Sequence, residues 1–202
     1  AALVEDKKVG IYSAFPVLGT VPAELTQVEN LYGAESDETK AEKQNLLPLG
    51  FSITYRKNQP FSHTLHLVPK TVVLGIGCKR GTEAESIRAL IRETLEQNQI
   101  FKESICLIAS IDLKKDEEGI RICAEELGVP FVTWSAEELE QVQSEDGFTE
   151  SAFVRSVAGV GNVCERSALK GAGTSRLLIR KTAHNGVTVA AAVKDYTVCM
   201  ED

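Results

Sequence analysis

The stretch from Val72 to Leu95 constrains what this chain can fold into more than any other. Val72 to Ile76 is a short apolar run rich in β-branched residues. It enters Gly75-Ile-Gly-Cys-Lys-Arg-Gly81-Thr82, after which Ala84, Ile87, Leu90, Ile91 and Leu95 recur at helical spacing. Strand, glycine turn and helix in that order make one βα unit. Thr82 and Glu85 have the spacing of a capping box, which predicts the helix start there. Ser104 to Ile111 then reads as a buried strand, and Ile120, Cys123, Ala124 and Leu127 form an i, i+3, i+4, i+7 stripe that stops at Gly128. Pro130 to Trp134 reads as a third strand, followed by a second capping box, Ser135 with Glu138, ahead of Leu139 and Val142. Three successive βα units predict a largely parallel sheet covered by helices.

The flanks differ. Phe153 to Val157 and Val163 to Leu169 read as short helices around Gly159-Val-Gly161-Asn162, and Lys170 to Ser175, with Gly171 and Gly173, reads as a loop of small residues. Leu177 to Thr182 and Val187 to Val193 are strands joined by Ala183-His184-Asn185-Gly186, and Asn-Gly is a strong hairpin signal. Residues 1 to about 70 hold five of the six prolines and little sustained helical period, so short strands, turns and a polar stretch from Glu35 to Gln44 are expected. The expected architecture is α/β: a three-layer α/β/α domain over 70–202, with a mainly parallel sheet and an antiparallel C-terminal hairpin, preceded by a small, irregular α+β lobe over 1–69.

With 202 residues, 43% of them hydrophobic, the chain can bury a real core. No apolar stretch approaches the roughly 18 residues of a membrane span, and Ala1 to Gly10 lacks the order of a signal peptide. A cytoplasmic location is expected. Met200 is the only methionine, so a processed or longer chain is implied. The five cysteines are odd in number and lack zinc-ligand spacing, which fits free thiols, with Cys106, Cys123 and Cys199 as core residues. Charge is uneven: Asp116 to Glu150 holds eleven acids and one base, Arg121, whereas Val163 to Lys194 holds six bases and one acid, Glu165. Two readings stay open, solvated faces or a basic wall for an anionic small molecule. The bases have no interleaved aromatic residues, which disfavours nucleic acid.

The turn from Gly75 through Gly77, Cys78, Lys79, Arg80 and Gly81 to Thr82 can expose backbone N–H groups and a helix N-terminus to an anion. Its GxGxxxG spacing is one residue off the dinucleotide pattern, and no Gly-Lys-Ser/Thr triplet makes it a phosphate loop. Lys79 and Arg80 add cationic donors, or are simply solvated bases on a tight turn. Asn162, Cys164, Glu165 and Arg166 bring an amide, a thiol, a carboxylate and a guanidinium together, with Glu165 either a general base or a structural pair. His63 and His66 are proton carriers by type, or structural histidines. No metal site is visible in the spacing.

The run Pro60-Phe-Ser-His-Thr-Leu-His-Leu-Val-Pro-Lys-Thr-Val-Val-Leu-Gly-Ile-Gly-Cys-Lys-Arg-Gly-Thr82 resembles the junction of the middle and C-terminal domains of the CbiG family, the cobalt-precorrin-5A hydrolases of anaerobic cobalamin biosynthesis. Phe15-Pro16-Val17-Leu18-Gly19 resembles the start of that middle domain, and Gly161-Asn162-Val163-Cys164-Glu165-Arg166-Ser167-Ala168-Leu169 is similar to the C-terminal signature. The resemblance implies hydrolytic opening of the δ-lactone of a cobalt corrinoid, with loss of a two-carbon fragment as acetaldehyde. It implies His66, His63 or Glu165 as base. Gly75, Gly77, Cys78, Lys79, Arg80, Gly81, Thr82, Asn162, Arg166, Gly171 and Gly173 become the substrate-binding set. Cobalt travels with the substrate, so neither a protein metal nor another cofactor is implied. Other enzymes of the same pathway are implied as partners, and nucleic acid and membrane are not. Full-length members carry a further N-terminal domain, and this chain begins at or just before the middle one. A non-catalytic corrinoid carrier or scaffold is the alternative of a different class. A nucleotide-binding module, resting on the glycine turn alone, is a third.

Overall fold

The structure, a computed structural model, describes residues 8–28 and 47–200. The polar stretch expected from Glu35 to Gln44 lies outside the described residues. The chain forms two compact units, residues 1–69 with 196–202, and residues 70–195. Residues from Tyr196 onward, expected in the second domain, group with the first unit, because Val198 and Cys199 pair in parallel with Val17 and Leu18.

In the first unit β1 (Val9–Ser13), β3 (Leu25–Gln27), β4 (Leu49–Ile53) and β5 (His63–Leu67) form a parallel sheet of order β3-β1-β4-β5. The short strands β2 (Val17–Leu18) and β11 (Val198–Cys199) pair separately. Gly10 and Gly50 are register partners, and a Cβ on either would fall 2.2 or 2.3 Å from the ring of Phe61. Two adjacent glycines thus make the slot in which Phe61, 2% exposed, is buried.

The second unit contains β6 (Val72–Cys78), α1 (Ala84–Gln97), β7 (Ile105–Ile111), α2 (Glu118–Leu127), β8 (Phe131–Trp134), α3 (Ala136–Glu140), α4 (Ala152–Ala158), α5 (Cys164–Ala172), β9 (Leu177–His184) and β10 (Val187–Val193). Its sheet has the order β8-β7-β6-β10-β9, with β6, β7 and β8 parallel and β10 antiparallel to both neighbours. This is the expected mainly parallel sheet with an antiparallel hairpin. The hairpin turn carries positive φ at both Asn185 and Gly186, which only the mirror-image turn types require. Crossovers α1 and α2 pack against each other and cover one face of the sheet, and α5 lies across β6, β10 and β7 on the other. The α5 face is built from small residues: Val73, Leu107, Ala109, Ala190 and Ala192 meet Cys164, Ala168, Leu169 and Ala172. Gly75 completes that face. A Cβ there would lie 1.8 Å from the Cys164 carbonyl oxygen, so the backbones of helix and strand touch.

Three local expectations fail for identifiable reasons. The Thr82–Glu85 capping box does not form: the N-cap of α1 is Glu83, and the Thr82 hydroxyl donates to the Lys79 carbonyl at 2.7 Å. That bond closes the preceding turn. The box at Ser135 and Glu138 does form. Helix α5 runs through Lys170 to Ala172 where a loop was expected; Gly171 faces Val73, Leu107 and Trp134 inside the helix, and Gly173 is its left-handed C-cap. Cys199 is exposed, because the two-residue strand β11 turns Val198 inward and Cys199 out.

Candidate functional site

In open α/β sheets ligands bind beyond the carboxyl ends of the parallel strands. At that end of the second unit the turn after β6, the short 3₁₀ turn Asp112–Lys114 after β7 and the hairpin turn after β9 come together. Lys79 N–H donates to the Gly186 carbonyl at 3.2 Å, and Gly81 N–H donates to Glu117 Oε1 at 2.6 Å. Glu117 Oε2 accepts from Lys114 Nζ at 3.0 Å. The carboxylate of Glu117 therefore occupies the position that the sequence offered to a substrate anion. Burial pushes this carboxyl up, but Lys114 and the N–H groups of Gly81 and Thr82 outweigh it and hold it below the usual carboxylate range. With those amides engaged, a ligand meets the side-chain charges of Lys79 and Arg80, both exposed and without a carboxylate partner among the described residues. Cys78 is half-buried beside them, and burial pushes its thiol up.

Glu117 was missed in the sequence, although a signal exists. The stripe Ile120, Cys123, Ala124 and Leu127, extended back by three residues, lands on Glu117 and not on Asp116 or Glu118. An acid on the buried side of a helix start marks an internal partner.

Asn162, Glu165 and Arg166 are brought together, but as a clamp. Glu165 is fully buried, and its Oε2 accepts from Thr149 N–H at 3.0 Å and from Asn162 Nδ2 at 2.6 Å. Its Oε1 accepts from Lys181 N–H at 2.8 Å. Asn162 Oδ1 in turn accepts the Glu165 N–H, and Asn162 Nδ2 also donates to the Thr149 carbonyl. Arg166 donates to the carbonyls of Leu139, Glu140 and Val142 and to Glu150 Oε1, with its guanidinium 4.0 Å from the centroid of Phe148. These groups fasten the segment 139–150 to α5. Both oxygens of this carboxylate are spent on internal donors, and Oε1 also lies 3.7 Å from Arg180 Nε, which is the geometry of a strut. Cys164 is equally sealed, and burial pushes its thiol up to about 12.

Part of the basic stretch is taken up within the chain, while Arg176 and Lys194 are exposed. That part faces the acidic stretch of the same chain: Arg166 pairs with Glu150, Lys170 with Glu138, and Arg180 donates to the carbonyl of Asp146. Opposite local charges satisfy each other because segment 139–150 crosses the α5 and β9 side of the sheet. A Cβ on Gly77 would fall 2.7 Å from the oxygen of the Thr188 hydroxyl, which donates to the Gly77 carbonyl at 3.2 Å, so that glycine makes room for the neighbouring strand.

His63 and His66 belong to the first unit, on edge strand β5. His66 Nδ1 lies 2.9 Å from the Ser52 hydroxyl on β4, and His63 is exposed. Among the described residues no three His, Cys, Asp or Glu side chains converge to hold a metal ion. No helix among them is long and apolar enough to cross a membrane.

Residues 72–192 match the family model described as the C-terminus of cobalamin synthesis protein G. The chain is 34% identical over 128 residues to a cobalt-precorrin-5A hydrolase of Priestia megaterium and 38% identical over 127 residues to one of Salmonella typhimurium, covering 63% of this chain in each case. It spans about a third of the length of both, 33% and 35%. It is also 34% identical to Protein CobE of a Sinorhizobium species, matching 54% of this chain and 70% of that protein. Among solved structures, CobE, a protein from the cobalamin biosynthetic pathway, aligns with a TM-score of 0.54 at 31% identity over 63% of this chain and 93% of CobE. A cobalamin biosynthesis protein G homologue from Sulfolobus solfataricus covers 95% of this chain and 52% of its own, with a TM-score of 0.51 at 24% identity, a likeness of fold.

Proposed function

Since the chain belongs to the family of cobalamin synthesis G C-terminal domains, we propose that it serves cobalamin biosynthesis as part of a cytoplasmic cobalt-precorrin-5A hydrolase. Water adds to the carbonyl of the substrate's δ-lactone and the acyl C–O bond breaks, leaving a carboxylate and an alcohol. The alcohol gives up its proton as it collapses to acetaldehyde, a carbon–carbon bond breaks, and the ring carbon left behind takes a proton. Three demands follow: a base for the water, donors for the oxyanion and a route for the protons. The second unit answers a fourth demand, capture of a polycarboxylate. The observation that carries this reading is the pair Lys79 and Arg80, fixed on a turn that Glu117 and Gly186 hold at the carboxyl end of the sheet. Both bases suit the peripheral carboxylates of a corrinoid. His66 and His63 are the candidates for base, Glu165 being enclosed. The cobalt is part of the substrate, and no cofactor is assigned to the chain.

The enclosure of Glu165 favours a second reading: a corrinoid carrier or scaffold without turnover. Incubation of the chain with cobalt-precorrin-5A, with and without the remainder of a full-length relative, separates the two. Acetaldehyde release by this chain, lost in His66→Ala or His63→Ala while binding persists, supports the hydrolase. Binding without release supports the carrier. Absence of corrinoid binding overturns both.

A further inference from the structure

The apolar side chains that the fold leaves uncovered are not scattered over the second unit. Its exposed large hydrophobics are Leu113, Val132, Phe153 and Val157, and three of these four border the carboxyl end of the sheet. Leu113, 57% exposed, stands in the 3₁₀ turn after β7. Its neighbour Lys114 holds Glu117, which holds Gly81, so Leu113 is tied beside the turn that carries Lys79 and Arg80. Helix α4 turns Val154 and Ala158 toward Ile111, Leu139, Val160 and Val163, which anchors it to the end of the same strand β7. Phe153 and Val157, one helical turn apart on its outer side, are 74% and 64% exposed. Of the charges near this rim, Lys114 pairs with Glu117 and Arg155 with Glu140 and Glu150, and Asp112 accepts from the Thr133 hydroxyl, whereas Lys115 and Asp116 beside Leu113 are exposed. Open to a ligand on this rim are apolar side chains and the cations Lys79 and Arg80.

We infer that Leu113, Phe153 and Val157 form the apolar half of an amphipathic surface that takes the flat face of a cobalt corrinoid, while Lys79 and Arg80 take its peripheral carboxylates. The inference rests on the function proposed above. It commits to the corrinoid as occupant through complementarity: a macrocycle with an apolar face and an anionic rim matches an apolar stripe with a cationic border, whereas a purely apolar partner would leave Lys79 and Arg80 unmatched.

The test is titration of the full chain under anaerobic conditions with cob(II)yrinic acid, a cobalt corrinoid that bears free carboxylates and leaves one face without an axial ligand, at low and high salt. Phe153→Ser with Val157→Ser, and separately Leu113→Ser, should each keep the wild-type melting temperature, since they alter exposed residues. Each is expected to weaken binding, the double variant by about tenfold or more for the lost apolar contact, with the salt dependence retained. Lys79→Ala with Arg80→Ala should instead remove most of the salt dependence. Wild-type affinity in both apolar variants, with Lys79→Ala/Arg80→Ala still impaired, overturns the inference and leaves the proposed function standing. A concentration-dependent dimer in sedimentation that Phe153→Ser/Val157→Ser abolishes also overturns it, by giving the stripe to a second copy. Failure of the wild-type chain to bind the corrinoid overturns the proposed function, and the inference with it.

Discussion

Replacing Glu165 distinguishes a strut from a base. Its carboxylate satisfies three donors: the N–H groups of Thr149 and Lys181 and the amide of Asn162. Each buried donor left without an acceptor costs about 1–3 kcal/mol. Thr149 is exposed and Lys181 half-buried, so water can restore part of their bonding, whereas Asn162 is 2% exposed and its amide keeps only the Thr149 carbonyl. Taking the low end for the two backbone groups and the middle for Asn162, Glu165→Ala should lose about 3–5 kcal/mol. That is a large fraction of the roughly 5–15 kcal/mol that holds a domain together. Glu165→Gln keeps the shape and one oxygen but turns an NH₂ toward one of the former donors, and should lose about 1–3 kcal/mol. Urea unfolding followed by circular dichroism measures both. An alanine variant within about 1 kcal/mol of wild type would refute the clamp, since even one orphaned donor costs that much. A glutamine variant that stays folded, binds corrinoid and yet loses acetaldehyde release would restore Glu165 as the base.

Two further outcomes follow from the packing and the latch. Gly75→Ala places a methyl 1.8 Å from the Cys164 carbonyl oxygen and 2.7 Å from the Ala168 nitrogen, both backbone, so α5 must lift. A melting temperature unchanged in that variant would contradict the close approach. The carboxyl of Glu117 titrates lower when folded, so its contribution is present above the ordinary carboxylate range and fades as pH falls through the folded value. Glu117→Gln should therefore be less stable than wild type by about 1–3 kcal/mol at pH 7. The gap should begin to narrow as pH falls below the ordinary glutamate value of about 4.3 and close only below the lower folded value; a gap independent of pH would show that charge is not what the latch uses.

Much of the second unit was legible because its signals are local. The β-branched run at Val72, the stripe ending at Gly128 and the Asn185-Gly186 turn each force one backbone choice, and each forms. What failed depended on partners far along the chain. Thr82 has cap spacing, but its hydroxyl closes the turn to Lys79. Gly171 has the composition of a loop, but Val73, Leu107 and Trp134 press against it in a helix. Glu165 and Arg166 look like chemistry because they are charged and adjacent to glycines. Their donors and acceptors, between 139 and 150 and at Lys181, are invisible to spacing. Lys79 and Arg80 were legible as exposed cations, but the Glu117 carboxylate beneath them was not.

The return of Val198 and Cys199 to pair with Val17 and Leu18 has a consequence for how the chain can be divided. Residues 70–195 form an insertion, entered and left through neighbouring strands: Val72 pairs with Val193, and the Lys194 N–H donates to the Thr71 carbonyl at 2.9 Å. Those strand ends make a two-stranded stem. One cut, at either end of the insertion, leaves the units covalently joined, and two are needed to free them. A fragment beginning at Lys70 and running to the C-terminus would carry an orphan strand that has lost its partner. Ending it at Asp195 removes the orphan and keeps the stem.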